Sequence, residues 1–256
     1  MKPRLIASAV MASLVVSFFV LGQDKVTVIA PTPDAAEGLD LRAVGELFKD
    51  SKSLEEFEKA LNDPQVGVNN LDLDDNGEVD FVRVVEDVAG DAHLIVLQVP
   101  LAKDEFQDVA TIEVEKASGE QYNMQVTGNE IIYGPHYYVA TRDVHIIRWP
   151  LITSFYRPVY RPYRSAFYFG SYPRWWRPYH PVTASVYRTR TVRLTGRSAF
   201  TVTGTRRVTT VRRVHYTPRS STLVKKKTTV TRSSTRSGTK TTTVRTKTTK
   251  TNKRKP

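Results

Sequence analysis

The run Leu71-Asp72-Leu73-Asp74-Asp75-Asn76-Gly77-Glu78-Val79-Asp80-Phe81 puts five acids into the nine positions from Asp72 to Asp80. Side-chain oxygens of Asp72, Asp74, Asn76 and Asp80, with the backbone carbonyl of Glu78, form a set of hard donors suited to Ca2+. Gly77 supplies the sharp turn such a wrap needs. The dipeptide Asn76-Gly77 is also a signal for a type I′ hairpin, so two registers compete. A two-residue turn pairs Asp75 with Glu78 and Leu73 with Asp80, setting like charges together and mixing acid with apolar groups on one face. A five-residue loop from Asp75 to Val79 instead opposes Leu73 to Phe81 and Asp74 to Asp80, and its converging carboxylates call for a cation. A solvated acidic hairpin is the alternative.

This stretch resembles two calcium-loop families, the EF-hand and the strand-connecting loops of integrin-type β-propellers. It departs from the EF-hand at Arg83, where that family places a bidentate glutamate, and its flanks read as strand. The propeller-type loop, ending in an aspartate followed by an apolar residue, is matched by Asp80-Phe81. The likeness covers about eleven residues and implies a cation site, not a propeller.

Other chemistry is sparse. His93, His136, His145, His180 and His215 have no metal-ligand spacing, and no serine stands in a nucleophile elbow. Gly77, Gly90, Gly119 and Gly128 are scattered turn glycines. The chain has no cysteine, which removes disulfides, thiol catalysis and thiolate zinc sites. An enzyme is not expected.

The elements around the loop read as an α+β unit. Asp40 caps a helix running through Phe48, with Leu41, Val44, Leu47 and Phe48 on one side. Ser53-Leu54-Glu55-Glu56 fits a capping box opening a second helix, with Leu54, Phe57 and Leu61 at helical spacing and Asp63-Pro64 as its stop. The period then changes to two. Val79-Phe81-Val85, Ala110-Ile112-Val114 and Tyr122-Met124-Val126 read as half-buried antiparallel strands, Ala92–Val99 as the central strand and Ala117-Ser118-Gly119-Glu120 as a turn. Two N-terminal helices packed on an antiparallel sheet is the simplest assembly.

Charge divides the rest of the chain. All 26 acids lie between Asp24 and Asp143; residues 23–150 hold 26 acids against 10 bases, a formal −16, and residues 151–256 hold 26 bases and no acid. Met1–Gly22, with Lys2 and Arg4 ahead of an apolar run, has a signal-peptide layout, an uncleaved anchor being the alternative. Either way the chain is exported, to the periplasm, the cell surface or the medium. Segments are expected at 1–22 (signal peptide), 38–147 (acidic α+β domain), 148–187 (Tyr/Arg/Pro-rich) and 188–256 (disordered Thr/Lys/Arg-rich tail).

The middle segment repeats aromatic-Arg-Pro and offers an aromatic strip: Tyr160, Tyr163, Trp175, Trp176 and Tyr179. Such a strip can cover the sheet edge as a stiff linker, or contact a polyanion or a membrane surface. The tail spreads its charge over Arg206, Arg207, Arg212, Arg213, Lys225, Lys226, Lys227, Lys253, Arg254 and Lys255. That pattern suits an anionic envelope polymer, such as envelope phosphate or acidic polysaccharide, or extracellular nucleic acid, bound by counterion release. Self-association of acidic head with basic arm is the rival, in a membrane-anchored structural protein. An acidic sheet domain followed by a Tyr/Arg/Pro segment resembles a group of exported bacterial proteins, a likeness that implies no activity.

Overall fold

The computed structural model describes residues 38–117, 121–208, 222–234 and 240–252; the leader lies outside them. Helix α1 (Leu41–Asp50) opens where the Asp40 carboxylate accepts the Arg42 amide at 2.9 Å. Helix α2 (Leu54–Leu61) opens on Ser53, whose hydroxyl accepts the Glu56 amide at 3.1 Å. The reciprocal bond of the capping box reaches one residue further back than expected, from the Lys52 amide to the Glu56 carboxylate.

Six antiparallel strands then form one sheet in chain order. They are β1 (Arg83–Ala89), β2 (Ala92–Ala102), β3 (Glu105–Lys116), β4 (Tyr122–Gly128), β5 (Tyr138–Thr141) and β6 (Phe200–Thr203). The expected α+β architecture is therefore present. β2 lies inside the sheet, and its run of apolar residues is buried throughout except at Ala102. Ser118, Gly119 and Glu120 fall outside the described residues, but the Ala117 amide reaches the Gln121 carbonyl at 2.8 Å, closing β3 onto β4.

One sheet face presents Val84, Ile95, Leu97, Ile112, Val114, Val126 and Val139 to Val44, Phe48, Phe57, Leu61 and Phe155 in a single core. Phe48 meets Phe57 edge-on at 5.6 Å. Phe155 ends the short helix α4 (Pro150–Phe155), which follows α3 (Glu130–Tyr133) in the chain. The opposite face is smaller and more polar: Ala92, Leu94 and Val96 pack with Val208, beside buried Glu113 and Gln125.

Two expectations are corrected. Val79 and Phe81 are not in a strand, and neither Leu73–Phe81 nor Asp74–Asp80 forms a ladder pair; β1 begins at Arg83. Side-chain amides take the place of a neighbouring strand there. Asn62 grips Val82 through both its carbonyl and amide (2.7 Å each), Asn69 donates to the Asp80 carbonyl at 2.7 Å, and the Asp80 amide reaches Leu71 at 2.7 Å.

The second correction moves the start of the tail. Residues 188–208 belong to the folded body, through helix α5 (Ala184–Thr195) and β6. Tyr187 fixes α5: its hydroxyl accepts the Asp40 amide at 2.7 Å and donates to the Val68 carbonyl at 2.8 Å. Mean composition concealed this, because a few anchors among many threonines order the segment. Further on, β7 (Thr222–Ser234) and β8 (Lys240–Asn252) pair as an antiparallel ribbon of their own, with β7 lying near β3 and α3, where disorder was expected; threonine and valine favour extended pairing. Among the described residues no helix is long and apolar enough to cross a membrane.

The closure of β6 over α1 is tight. A Cβ on Gly45 would lie 2.8 Å from the Phe200 ring. Gly45→Val is expected to lower unfolding free energy by about 1–3 kcal/mol through overpacking, measured by chemical denaturation; an unchanged midpoint would mean that Phe200 does not sit on this helix.

Candidate functional site

The acidic loop is held chiefly by its own amides. Asp72 accepts the Asn76 amide at 3.1 Å with one oxygen and the Gly77 amide at 3.0 Å with the other. Asp74 accepts Asn76 at 3.2 Å, and the Asn76 side-chain carbonyl accepts Glu78 at 2.7 Å. Asp80 turns an oxygen to the Leu73 amide at 2.6 Å. Asp75 and Gly77 take left-handed backbone, φ 58° and 84°, the conformation that lets the chain reverse. Partial burial raises the Asp72 carboxyl, with Asp74 and Asp75 adding to the rise and the two amides opposing it.

The five predicted donors, Asp72, Asp74, Asn76, Glu78 and Asp80, thus share one turn. Their chemistry fits a hard cation. Among the described residues, however, no three acidic or histidine side chains come together as a metal-holding group. Asp72 and Asp80 already accept loop amides, which would compete with an ion for their oxygens.

The aromatic segment folds back over this loop and along β1. The Val79 amide donates to the Tyr179 carbonyl at 2.7 Å, the Tyr179 hydroxyl to the Asn69 carbonyl at 2.9 Å, and His180 Nδ1 lies 2.7 Å from the Gly77 carbonyl. Phe81 collects Trp176 at 5.3 Å and Tyr172 at 5.7 Å. Upstream, the segment covers the free edge of β1: the Glu86 amide donates to Tyr163 at 2.8 Å and the Ser165 amide to Val84 at 2.9 Å. Four rings of the strip thus pack on the body: Tyr160 and Tyr163 beside β1, Trp176 and Tyr179 over the loop. Trp175 remains exposed.

Two buried carboxylates that the sequence reading passed over bind this cover in place. Glu86 faces His93 Nδ1 at 2.7 Å with one oxygen; with the other it accepts the Tyr160 hydroxyl at 2.5 Å and the Tyr163 amide at 2.8 Å. Glu58 accepts the Val84 amide at 2.6 Å and the Tyr163 hydroxyl at 3.3 Å. Burial raises both phenols well above the ordinary tyrosine value, with the facing carboxylates adding to it, so they stay donors at neutral pH. His93 stacks on Phe155 with ring centres 4.5 Å apart, and the Glu86–His93 pair has nearly no access to solvent. A signal existed: Glu58 lies in the Leu54-Phe57-Leu61 stripe, and Glu86 alternates with Val84 and Val88.

The predicted cations divide into three groups. Arg206 pairs with buried Glu113 at 2.8 Å and donates to the Val208 carbonyl at 2.7 Å. Arg207 donates its amide to Gln125 at 2.6 Å and its guanidinium to the Thr141 carbonyl at 3.3 Å. These two serve the body, contrary to their expected place in a free arm. Lys225, Lys226 and Lys227 lie on β7; Arg212, Arg213, Lys253, Arg254 and Lys255 lie outside the described residues.

Fold and site define a six-stranded antiparallel α+β unit with an amide-laced acidic loop, sealed along one edge by a Tyr/Arg/Pro strap. Comparison with known proteins gives no matching family model, no matching curated protein and no matching solved structure.

Burial pushes the Glu58 carboxyl from 4.5 up to about 7, against the lowering effect of the Val84 amide. Between those values the folded state holds more proton than the unfolded one, so this group's contribution falls as pH rises from about 4.5 to about 7 and then levels. The full change is on the order of 3 kcal/mol. Denaturation curves for Glu58→Gln across this window should show a shallower decline than the parent; parallel curves would place Glu58 in solvent.

Proposed function

We propose that this is a non-enzymatic exported protein whose folded body carries a basic arm, residues 209–256, for a polyanion of the envelope or its surroundings. Envelope phosphate, acidic polysaccharide and extracellular DNA share the required chemistry. The observation that carries this reading is how the charges divide once the fold is known. Residues 38–208 hold 23 acids and 20 bases, a formal −3, whereas residues 209–256 hold 15 bases and no acid. The body is near neutrality by itself, so the arm's excess has no internal counterpart. The same division weakens the rival, in which an acidic head holds basic arms of its own or a neighbouring copy. The Glu86–His93 pair, by type an acid–base couple, is buried and bonded to the strap, which supports a role in holding structure.

Full-length protein should be retained on immobilised heparin, with affinity falling steeply as salt rises, at up to about 0.9 decades per decade of salt for each phosphate-type contact. Replacing the 15 arm cations by glutamine should abolish retention while leaving the melting temperature unchanged. Undiminished retention by that variant would overturn the assignment.

In this reading the Asp72–Asp80 loop takes Ca2+ weakly, because its carboxylates already serve loop amides that compete with an ion. Calorimetry should give a dissociation constant of about 0.1–1 mM, the range of exposed extracellular sites, and Asp72→Asn with Asp80→Asn should remove the heat. A parent protein giving no heat would end the calcium reading and leave the arm's function untouched.

A further inference from the structure

We propose that the turn Tyr168-Phe169-Gly170-Ser171, with Trp175 beside it, is a membrane-interface tip that docks on an anionic lipid surface. The fold sorts the aromatic segment into two sets. Trp176 is 4% exposed and Phe167, Tyr172 and Trp176 pack on Phe81, whereas Tyr168, Phe169 and Trp175 are 56%, 47% and 45% exposed. The exposed set is a built projection. Tyr168 and Ser171 exchange backbone bonds at 3.1 and 2.8 Å, and Gly170 takes φ 77°, turning the chain so that two rings stand at its end. The base of the turn is fixed because Phe167 and Tyr172 each lie 5.7 Å from Phe81; Trp175 joins the same ring at 6.3 Å.

Charge complementarity selects the occupant. Residues 157–177 contain five arginines and no acid. All five are exposed; Arg164 is 66% exposed despite a 3.5 Å contact with Asp87, and Lys59 lies 5.9 Å from the Trp175 ring centre. Asp80 and Asp74 act on Tyr172, at the base of the turn, from the loop, where their carboxylates accept Leu73 and Asn76 amides. Amphipathic rings flanked by guanidinium groups suit the boundary between headgroups and acyl chains. A small apolar tip holds a bilayer only with a second signal, commonly a polybasic one. The arm supplies it, and for the arm alone this inference rests on the reading above.

Trp149 and Trp176 are 5% and 4% exposed, so Trp175 is the reporter for the test. Protein lacking residues 1–22, whose apolar leader would insert by itself, is mixed with vesicles of phosphatidylglycerol and phosphatidylethanolamine. The expected result is a blue shift of tryptophan emission with protection from acrylamide, absent with phosphatidylcholine vesicles and with soluble heparin. Tyr168→Ser with Phe169→Ser should weaken partitioning about tenfold or more while leaving heparin retention and the melting temperature unchanged. Equal partitioning by this variant, no shift in the parent, or the same shift with heparin would each overturn the tip; the last would make the rings a saccharide contact. No heparin retention by the parent with the lipid shift intact would sink the arm and leave the tip standing, with the five arginines of residues 157–177 as its second signal.

Discussion

A carboxylate taken out of water has to find donors, and Glu58 and Glu86 find theirs in a segment that looks at first like a linker. Glu86 gathers His93, the Tyr160 hydroxyl and the Tyr163 amide; Glu58 gathers the Val84 amide and the Tyr163 hydroxyl. Those bonds lay Tyr163–Ser165 along β1, whose outer edge would otherwise present unpaired backbone groups to solvent or to another chain. The carboxylates need the strap for solvation, and the strap, poor in backbone bonds of its own, needs the carboxylates for position. Further along, the clasp of Tyr179 and His180 on the loop depends on the same strap staying down.

Charge follows from this arrangement. Drawing the chain back as far as Val208 brings 11 of the 26 bases beyond residue 150 into the body, where Arg206 neutralises Glu113 beneath the sheet. Glu113 is held high by burial and pulled back by Arg206, so the pair is a local match within a formally acidic face. What reads along the sequence as a single polarity becomes a near-neutral body and a shorter, purely cationic remainder.

Local rules made much of the head legible: the Asp40 and Ser53 caps, the apolar stripe of α2, and the two-residue period of β3 and β4 all appear where their residues place them. Local pattern fails where long-range partners override it. Val79 and Phe81 alternate as strand residues do, yet Asn62 and Asn69 supply the backbone bonds that a neighbouring strand would have given. Tyr187 and Phe200 order a stretch that composition marks as unfoldable, because a buried hydroxyl with two backbone partners or a ring against Gly45 is invisible to an average. Asn76-Gly77 marks a chain reversal in the sequence, whereas the hydrogen bonding of the loop depends on carboxylate rotamers that spacing does not specify.

The aromatic-Arg-Pro repeat acquires a physical sense in this light. Proline denies the strap helix or ladder bonds of its own and keeps it extended, so successive side chains leave on different sides. Tyr160, Tyr163 and Trp176 turn to the body while Arg161, Arg164 and Arg177, each the next residue, stay in water. Every unit therefore contributes a ring to the core and a guanidinium to the surface. Tyr168-Phe169-Gly170 breaks the rule: no arginine or proline follows its rings, and a left-handed glycine reverses the chain before either can fold inward. The strap anchors itself where the repeat is kept and presents aromatic surface where it lapses, at the Tyr168–Ser171 turn and at Trp175, whose next residue is a second tryptophan and not an arginine.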